Sequence, residues 1–300
     1  MYEKFYGFTD RPFNMTPDSK FFFASPKHEE ALNCLLLAIS ERNGFVVITG
    51  EIGAGKTTVS RALLNRLEPT TKVALVLNTH LGKKELLTTI LEDLDIEYRS
   101  TSKTHLISAL NKYLLKQASG DVNVVLIIDE AQNLTPSVIE EVRMLSNLET
   151  EKEKLIQIVL MGQPELKQKL ALPKLEQFRQ RVVFHYHIEP LSREETTRYI
   201  KHRLARAGGT DPEIFSDEAI EEIYKFSGGV PRLINVACHN ALISGLVYES
   251  KKITAKIARE AVAEALYGLG SKSAGGQEEV SDEILHNLQN GPLSIVDGPQ

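Results

Sequence analysis

Five short apolar runs alternate with longer stretches of helical periodicity over the first two thirds of the chain. The runs are FVVITG, KVALVLN, VVLIIDE, LIQIVLMG and VVFHYHIEPL. Nearly continuous apolar strands joined by helical crossovers are typical of a parallel sheet that is covered on both faces. The pattern therefore predicts an α/β fold over residues 27–190, in which the last run is the closing strand.

The strand pattern stops after Pro190, and helical periodicity continues in four further segments. These segments span about residues 193–207, 217–226, 231–248 and 254–266. They predict a small all-helical domain over residues 191–268. Residues 1–26 are rich in aromatic residues and prolines, which predicts an irregular segment packed on the α/β base by its rings. The Gly-, Ser- and acid-rich residues 269–300 predict a disordered tail.

Charge and cysteine content narrow the class of protein. The 300 residues are 42% hydrophobic and 25% charged, which is typical of a soluble globular protein, and the net charge is −5. A negative chain offers no general attraction for a polyanion, so a nucleic-acid partner is disfavoured. Cys34 and Cys238 lie among apolar residues, which predicts buried thiols in a reducing compartment and neither a disulfide framework nor a zinc site.

Secretion and membrane signals are absent from the sequence pattern. The N-terminal MYEKFYGFTDRPF lacks the basic region and apolar core of a secretory signal. The longest apolar runs, CLLLAI and VVLII, are far shorter than the roughly 18 to 20 residues of a membrane-spanning helix. We therefore expect a cytoplasmic protein with no membrane span of its own, which reaches a membrane only through a partner or a surface helix.

The stretch GEIGAGKTT matches the phosphate-binding pattern G-x-x-x-x-G-K-[ST], and it lies between an apolar strand and a helical pattern. Glycines let backbone N–H groups close around phosphate oxygens, and the helix N-terminus adds positive potential. Lys56 is expected to contact the β- and γ-phosphates of ATP, and the Thr57 hydroxyl to bind Mg²⁺. The predicted nucleotide-binding set is Gly50, Glu51, Ile52, Gly53, Ala54, Gly55, Lys56, Thr57 and Thr58.

Two acids follow the buried run VVLII. An unpaired carboxylate inside a buried strand would be costly, so we expect Asp129 and Glu130 at the exposed end of that strand, beside a cation. Asp129 would hold Mg²⁺ or its water shell, and Glu130 would orient and deprotonate the attacking water. With the preceding phosphate loop, the pair predicts a P-loop NTPase that uses ATP and Mg²⁺.

Other polar side chains lie at or near the predicted strand ends. Asn78 ends KVALVLN, and Gln163 follows LIQIVLMG. Either amide could reach Glu130 or the γ-phosphate, or could hydrogen-bond a turn. Both interpretations stay open for Asn78, whereas the following PEL favours Gln163 as a site residue. His185 and His187 lie two apart on one strand face, and without a nearby third ligand they are interpreted as ordinary polar positions.

The order of motifs carries a family resemblance. The P-loop, LIIDEAQ, GQPEL, FRQRV and GGVPRLIN together resemble an AAA+ ATPase. The chain resembles more closely the ExeA/GspA family of general secretion pathway ATPases, including the subgroup associated with exosortase and exopolysaccharide loci. The most diagnostic part is FYGFTDRPFNMTPDSKFFFASPKHEEAL, because these proteins open with similar aromatic, P-F, P-D and S-P-x-H-x-E-A-L elements. The resemblance covers residues 1–268 and implies an AAA+ base with a helical lid.

The resemblance also implies roles for single residues. Gln163 occupies the sensor 1 position, and Arg232 in GGVPR matches sensor 2, which contacts the γ-phosphate from the same chain. FRQRV resembles the segment that carries the arginine finger, with Arg181 as the expected finger and Arg179 as the alternative. Such a finger acts on the nucleotide of the neighbouring subunit. Lys56 and Thr57 would be the Walker A residues, and Asp129 and Glu130 the Walker B pair.

A homo-oligomer follows from the implied finger, either a hexamer-like ring or an ATP-dependent assembly. The resemblance implies that it powers or switches assembly of a bacterial cell-envelope secretion, pilus or exopolysaccharide export system. Members of the ExeA type usually continue into a transmembrane helix and a periplasmic peptidoglycan-binding region, whereas this chain ends in a polar tail. A membrane-complex protein is therefore the expected partner, which would place the chain in the cytoplasm or peripherally at the inner membrane.

Two other functions stay open at this point. One is an ATP-dependent, DNA-associated regulator of the transposition-helper type, and the other is an ATP-binding oligomerisation switch. The acidic C-terminal residues and the lack of a basic tail disfavour a DNA partner.

Overall fold

Five parallel strands form one sheet in a computed structural model that describes residues 2–270 except 17, 43 and 152. The strands are β1 (Phe45–Gly50), β2 (Lys72–Val76), β3 (Val124–Ile128), β4 (Gln157–Gly162) and β5 (Val182–Ile188). Their order in the sheet is β2-β3-β4-β1-β5. The predicted α/β fold with a parallel sheet is confirmed, and the predicted closing strand β5 lies at the edge of the sheet beside β1.

Helices surround the sheet and continue beyond it. They are α1 (Tyr2–Tyr6), α2 (Pro26–Ser40), α3 (Lys56–Arg66), α4 (Lys83–Asp93), α5 (Lys103–Ser119), α6 (Pro136–Leu145), α7 (Pro164–Leu170), α8 (Glu176–Arg179), α9 (Arg193–Arg206), α10 (Asp217–Ser227), α11 (Pro231–Val247) and α12 (Ala255–Gly270). Several begin at a Ser or Thr whose hydroxyl accepts the N–H of the third helical residue, as Ser25 does for α2.

Alternate side chains of the central strands enter two separate cores. Phe45 and Val47 of β1 pack on the face covered by α4, α5 and α6, whereas Val46 and Ile48 pack on the face covered by α2 and α3. Strands β1, β3 and β4 are buried along their whole length because helices cover both faces. All five carboxyl ends consequently lie along one edge, where the P-loop follows β1.

The helices α9 to α12 form a lid with a hydrophobic core of its own. Five rings of the N-terminal segment, which we define as residues 1–26, are buried in that core: Tyr2, Tyr6, Phe8, Phe13 and Phe21. The prediction that this segment packs on the base is wrong for these rings. The base already covers both faces of its sheet with its own helices, whereas the lid helices leave an apolar surface that the rings complete.

Hydrogen bonds fix the N-terminal segment on the lid. The Tyr6 hydroxyl donates to the carbonyl of Ser250 at 3.0 Å, and the Thr9 hydroxyl donates to the carbonyl of Ala207 at 3.0 Å. Gly245 makes room for the Tyr6 hydroxyl, since a Cβ at this position would collide with it.

Three further expectations concern features away from the sheet. Cys238 is buried, but Cys34 is only half-buried, which corrects the expectation of two buried thiols. From residue 271 onward, the predicted tail lies outside the described residues. Within the described ranges, no helix has the length and apolar character that a membrane crossing requires.

Candidate functional site

A cavity of about 360 Å³ lies at the carboxyl edge of the sheet. It is enclosed by the P-loop, the N-terminal segment, the ends of β3 and β4, and the lid. The charged and amide side chains that line it include Lys56, Glu130, Gln163, Arg203 and Arg232. Parts of the chain that are distant in sequence therefore face one space.

The P-loop wraps around the Lys56 ammonium. Gly53 and Gly55 have φ angles of 81° and 103°, in a region that glycine enters without steric cost. Nζ of Lys56 donates to the carbonyl of Gly50 at 2.7 Å and to that of Glu51 at 3.0 Å. Burial lowers the pKa of Lys56, against the attraction of nearby carboxylates. An ammonium bonded to carbonyls can exchange them for the more strongly attracting oxygens of a phosphate.

Thr57 and Asp129 meet where β3 ends. The Thr57 hydroxyl donates to Oδ2 of Asp129 at 3.1 Å, and the backbone N–H of Glu130 donates to Oδ1 at 2.9 Å. Asp129 is buried, and this burial raises the pKa of its carboxyl despite both hydrogen bonds. A hydroxyl and a carboxylate are oxygen ligands that suit Mg²⁺, and a cation here would compensate the buried carboxylate.

The Glu130 carboxylate lies between two glutamine amides. Its backbone has a φ of 51°, which is uncommon outside glycine and turns the chain sharply after β3. Oε2 of Glu130 accepts from Nε2 of Gln163 at 3.2 Å and from Nε2 of Gln132 at 2.6 Å. The structure thus brings the predicted pair Glu130 and Gln163 together. It adds Gln132, which the sequence analysis did not single out although it lies in the quoted DEAQ.

Asn78 makes the turn hydrogen bond that was one of its two predicted roles, and its site role stays a prediction. It lies two residues beyond the end of β2, and its Oδ1 accepts the N–H of His80 at 3.2 Å. The polar contact from this strand end comes instead from buried Thr79, whose hydroxyl donates to the carbonyl of Glu130 at 3.0 Å. Thr79, the neighbour of the predicted Asn78, is thus the residue that contacts the turn after β3.

Arg232 lies where the lid reaches the P-loop. Its backbone N–H donates to the carbonyl of Gly53 at 3.3 Å. A Cβ at Gly53 would lie 2.5 Å from Cβ of Arg232, so the absence of a side chain permits this approach. Arg232 lines the cavity, and its contact with a γ-phosphate stays a prediction.

The two arginines of FRQRV lie outside the cavity lining. Arg179 is exposed and donates to the carbonyls of Leu170 and Ala171 at 3.2 and 2.6 Å, at the end of α7. Arg181 donates to the Ser146 hydroxyl at 2.7 Å and also to the side chain of the adjacent Asn147. Neither arginine lines the cavity of its own chain, and both donate hydrogen bonds elsewhere in that chain.

His28 connects the N-terminal part of the chain to the P-loop. Its Nδ1 lies 2.6 Å from the Ser25 hydroxyl and its Nε2 lies 3.0 Å from the carbonyl of Ala54. A carbonyl only accepts, so Nε2 carries the proton and the Ser25 hydroxyl donates to Nδ1. Burial lowers the pKa of His28 and favours this neutral ring. In the sequence, S-P-x-H marked only a family element, and this contact was not predicted.

Arg203 is a second contact that the sequence analysis missed. Its guanidinium is buried, lies 4.9 Å from the ring centre of Phe21, and donates to the Tyr199 hydroxyl at 2.9 Å. It also donates to the carbonyl of Pro12. The stacked and hydrogen-bonded guanidinium ties the N-terminal segment to α9 of the lid.

The two histidines of β5 share one partner. Nε2 of His185 and Nδ1 of His187 lie 3.2 and 3.0 Å from the hydroxyl oxygen of Thr49. In the part of the chain that the structure describes, no group of three or more His, Cys, Asp or Glu side chains is placed to hold a metal ion. We therefore describe both histidines as hydrogen-bonding positions beside β1.

Two sequence comparisons relate this chain to known proteins. A family model described as an AAA domain matches residues 39–170. General secretion pathway protein A of Aeromonas hydrophila is 41% identical over 254 residues, which are 84% of this chain and 46% of that protein. The chain thus spans less than half the length of this relative. The AAA+ P-loop fold and the resemblance to the ExeA/GspA family, both expected from the sequence, are confirmed.

Solved structures share the fold at low sequence identity. Cdc6p from Pyrobaculum aerophilum has a TM-score of 0.64 and 19% identity, covering 83% of this chain and 71% of that one. The ADP form of the Aeropyrum pernix ORC2 protein has a TM-score of 0.62 and 16% identity, covering 90% and 80%. The Holliday junction branch migration motor RuvB of Thermotoga maritima has a TM-score of 0.56 and 18% identity, covering 92% and 86%.

Proposed function

We propose that this AAA-domain chain, a relative of General secretion pathway protein A, hydrolyses ATP with Mg²⁺ as an oligomer. Its hydrolysis would power or switch the assembly of a bacterial cell-envelope secretion, pilus or exopolysaccharide export system. The observation that carries the proposal is the meeting of Lys56, the Thr57–Asp129 pair and the Glu130–Gln163 pair at one cavity edge.

Each of these groups suits one part of ATP hydrolysis. The P-loop backbone and Lys56 would bind the phosphates, and Thr57 with Asp129 would hold Mg²⁺, which neutralises phosphate charge when bound. Glu130 would accept a proton from a water molecule as the water oxygen bonds to the γ-phosphorus. The bridging bond to the β-phosphate breaks, and ADP and inorganic phosphate leave. Gln163 and Arg232 would orient and stabilise the transferred group.

The adenine ring and the ribose of ATP would lie toward the N-terminal segment and the lid. The cavity continues from the P-loop to side chains of that segment, including Met15 and Phe22, and to Tyr199 of the lid. Apolar and aromatic walls with a few polar groups are typical of a site for a purine ring. Nucleotide binding would therefore bridge the base domain and the lid.

An arginine supplied by a neighbouring subunit would complete the site. Arg181 and Arg179 lie outside the cavity of their own chain, which suits a role on a second nucleotide. We keep Arg181 as the finger because the family resemblance places it there. Each arginine donates two hydrogen bonds within its own chain, Arg179 to carbonyls at the end of α7 and Arg181 to the side chains of Ser146 and Asn147, and would have to release them. A finger in trans makes turnover depend on assembly, and such fingers contribute about 10³- to 10⁵-fold in rate.

The export role rests on the secretion-pathway relative and on a partner that bridges to the membrane. We propose a cytoplasmic chain that lies peripherally at the inner membrane when its partner complex is present. Recovery of a membrane complex from solubilised membranes with Glu130→Gln protein and ATP would support this role. Recovery of DNA with the protein instead would favour the alternative of a DNA-associated regulator, and the net charge of −5 argues against that result.

Substitution of the proposed base tests the ATPase assignment directly. Glu130→Gln should retain ATP binding but lose about 10²- to 10⁴-fold in turnover, because the amide cannot accept the proton. Phosphate release and equilibrium binding of a fluorescent ATP analogue would be measured in parallel. Glu68→Gln, an exposed change of the same kind beyond α3, is the matched control. Unchanged turnover in Glu130→Gln would remove Glu130 from the mechanism.

A further inference from the structure

Gln132 lies two residues after Glu130, on the short 3-10 turn Ala131–Asn133 that follows β3. Glu130 and Gln163 line the cavity, whereas Gln132 is not among the lining residues. Its contacts with Glu130 and Gln163 are the route by which Gln132 would affect hydrolysis within its own chain. We propose that Gln132 is a positioning residue that fixes the Glu130 carboxylate for proton acceptance, an inference that rests on the proposed function.

Three hydrogen bonds close a ring among Glu130, Gln132 and Gln163. Nε2 of Gln132 donates to Oε2 of Glu130 at 2.6 Å, and Nε2 of Gln163 donates to the same oxygen at 3.2 Å. The backbone N–H of Gln163 donates to Oε1 of Gln132 at 3.1 Å. Gln132 thus uses both ends of its amide. The nitrogen donates to Glu130, and the oxygen accepts the N–H of Gln163 at the start of α7. The shorter contact to the carboxylate comes from Gln132 and not from the sensor position.

The turn that carries Gln132 is itself held in place. The Lys169 ammonium of α7 donates to the carbonyl of Gln132 and, at 2.9 Å, to that of Leu134. Gly162 at the end of β4 leaves space for the amide, since a Cβ there would lie 2.9 Å from Oε1 of Gln132. The donor that faces Glu130 is therefore fixed by β4 and α7, not by the turn alone.

This arrangement commits one carboxylate oxygen and leaves the other available. Oε2 of Glu130 accepts one hydrogen bond from the amide of Gln132 and one from the amide of Gln163. Oε1 has no hydrogen-bond partner among the residues that the structure describes. Rotation of the carboxylate would break two hydrogen bonds together. Oε1 is consequently the oxygen placed to accept the proton of a water molecule, and a small loss of alignment at such a group is costly for rate.

Replacement of the amide without loss of side-chain length separates positioning from folding. Gln132→Met in the full chain removes the donor, and kcat should fall on the order of 10- to 100-fold while KM for ATP and affinity for ADP stay within twofold. Gln168→Met on the exposed side of α7 is the matched control and should leave both constants unchanged. If the Met variant has a lowered Tm, Gln132→Asn is the alternative variant, because its side chain keeps the amide but is one methylene shorter.

The same substitution in a Glu130→Gln background gives the decisive readout. With the base removed, Gln132→Met should cause no further loss of kcat, because the group that it positions is gone. An additional loss equal to that in the wild-type background would indicate a purely structural role and overturn the inference. If the wild-type protein is active and Gln132→Met leaves kcat unchanged, the positioning role is also overturned. The proposed ATPase function would then stand. A wild-type chain without turnover at any concentration would overturn both.

Discussion

The carboxyl edge of the sheet and the N-terminal segment form two walls of the same cavity, but they are organised differently. At the sheet edge, residues that contact each other often lie close in sequence, within a few residues of a strand end, as Lys56 and Gly50 do. In the N-terminal segment, neighbours are distant in sequence, as in the hydrogen bond from Tyr6 to Ser250. The first wall carries the ionisable groups of the proposed chemistry, and the second carries aromatic rings.

This difference separates chemistry from positioning. Motif residues at the sheet edge obtain their geometry from the strand and turn that carry them, so substitution should change turnover before it changes folding. The N-terminal segment obtains its place from the lid core, so substitution should change stability first. His28, which contacts Ser25 of the N-terminal segment, reaches the P-loop at the carbonyl of Ala54, and Arg232 joins the lid to the P-loop at the carbonyl of Gly53.

The largest expected effect lies outside both walls, at the proposed contact between subunits. Arg181→Ala should lower turnover about 10³- to 10⁵-fold, because a guanidinium that stabilises the transition state is lost. Lys56→Ala should lose nucleotide binding. Mixing the two inactive variants should restore part of the activity, since some interfaces then pair an intact P-loop with an intact finger. The measurement is phosphate release against mixing ratio.

A control distinguishes the finger from its neighbour. Arg179→Ala mixed with Lys56→Ala should not show the same rescue, because Arg179 caps α7 within its own chain. Rescue by Arg179→Ala and none by Arg181→Ala, with both variants folded and assembled, would exchange the two assignments.

The same contrast explains how far the sequence could predict the molecule. Lys56, Thr57, Asp129, Glu130 and Gln163 could be placed because each follows an apolar strand by a few residues, and parallel strands end at one edge. Contacts such as Arg203 with Pro12 join parts of the chain 191 residues apart, and no local pattern encodes them. Gln132 is an intermediate case. It lies close to a strand end, but the direction of its side chain depends on the left-handed backbone of Glu130.

Loss of a ring from the N-terminal segment tests where that segment belongs. Phe13 is buried in the lid core, and its ring centre lies 6.0 Å from that of Phe215. Phe13→Ala should lower the free energy of unfolding by about 3–5 kcal/mol, because it leaves a cavity among buried side chains. Hydrogen exchange should quicken mainly in α9 to α12, because these helices lose the support of the ring.

A ring of the base provides the matched control. Phe178 is buried in the base, 4.6 Å from the ring centre of Phe45. Phe178→Ala should cost a similar free energy but quicken exchange in the strands and in α6 to α8. If Phe13→Ala quickened exchange in the base and left the lid helices unchanged, the assignment of the N-terminal segment to the lid would be wrong.

The smallest expected effect is a pH dependence where the two walls join. Burial lowers the pKa of His28 from the ordinary value of 6.5, and the carboxylate of Glu195 on α9 opposes this shift. Since the folded pKa lies below the unfolded one, the stability from the neutral ring is complete above about pH 6.5 and is lost as the pH falls toward the folded value. Each pH unit between these two values costs at most about 1.4 kcal/mol.

His28→Gln should therefore flatten the dependence of Tm on pH between about pH 5 and 8, because the amide keeps a donor but does not titrate in that range. The chain supplies a matched control, since Ser102 and His105 at the start of α5 repeat the Ser25–His28 contact, with 2.5 Å between hydroxyl and Nδ1, at an exposed position. His105→Gln is that control, because it makes the same substitution in the same kind of contact, away from the P-loop. Equal slopes for wild-type protein and His28→Gln would show that the P-loop contact of His28 does not depend on its charge state.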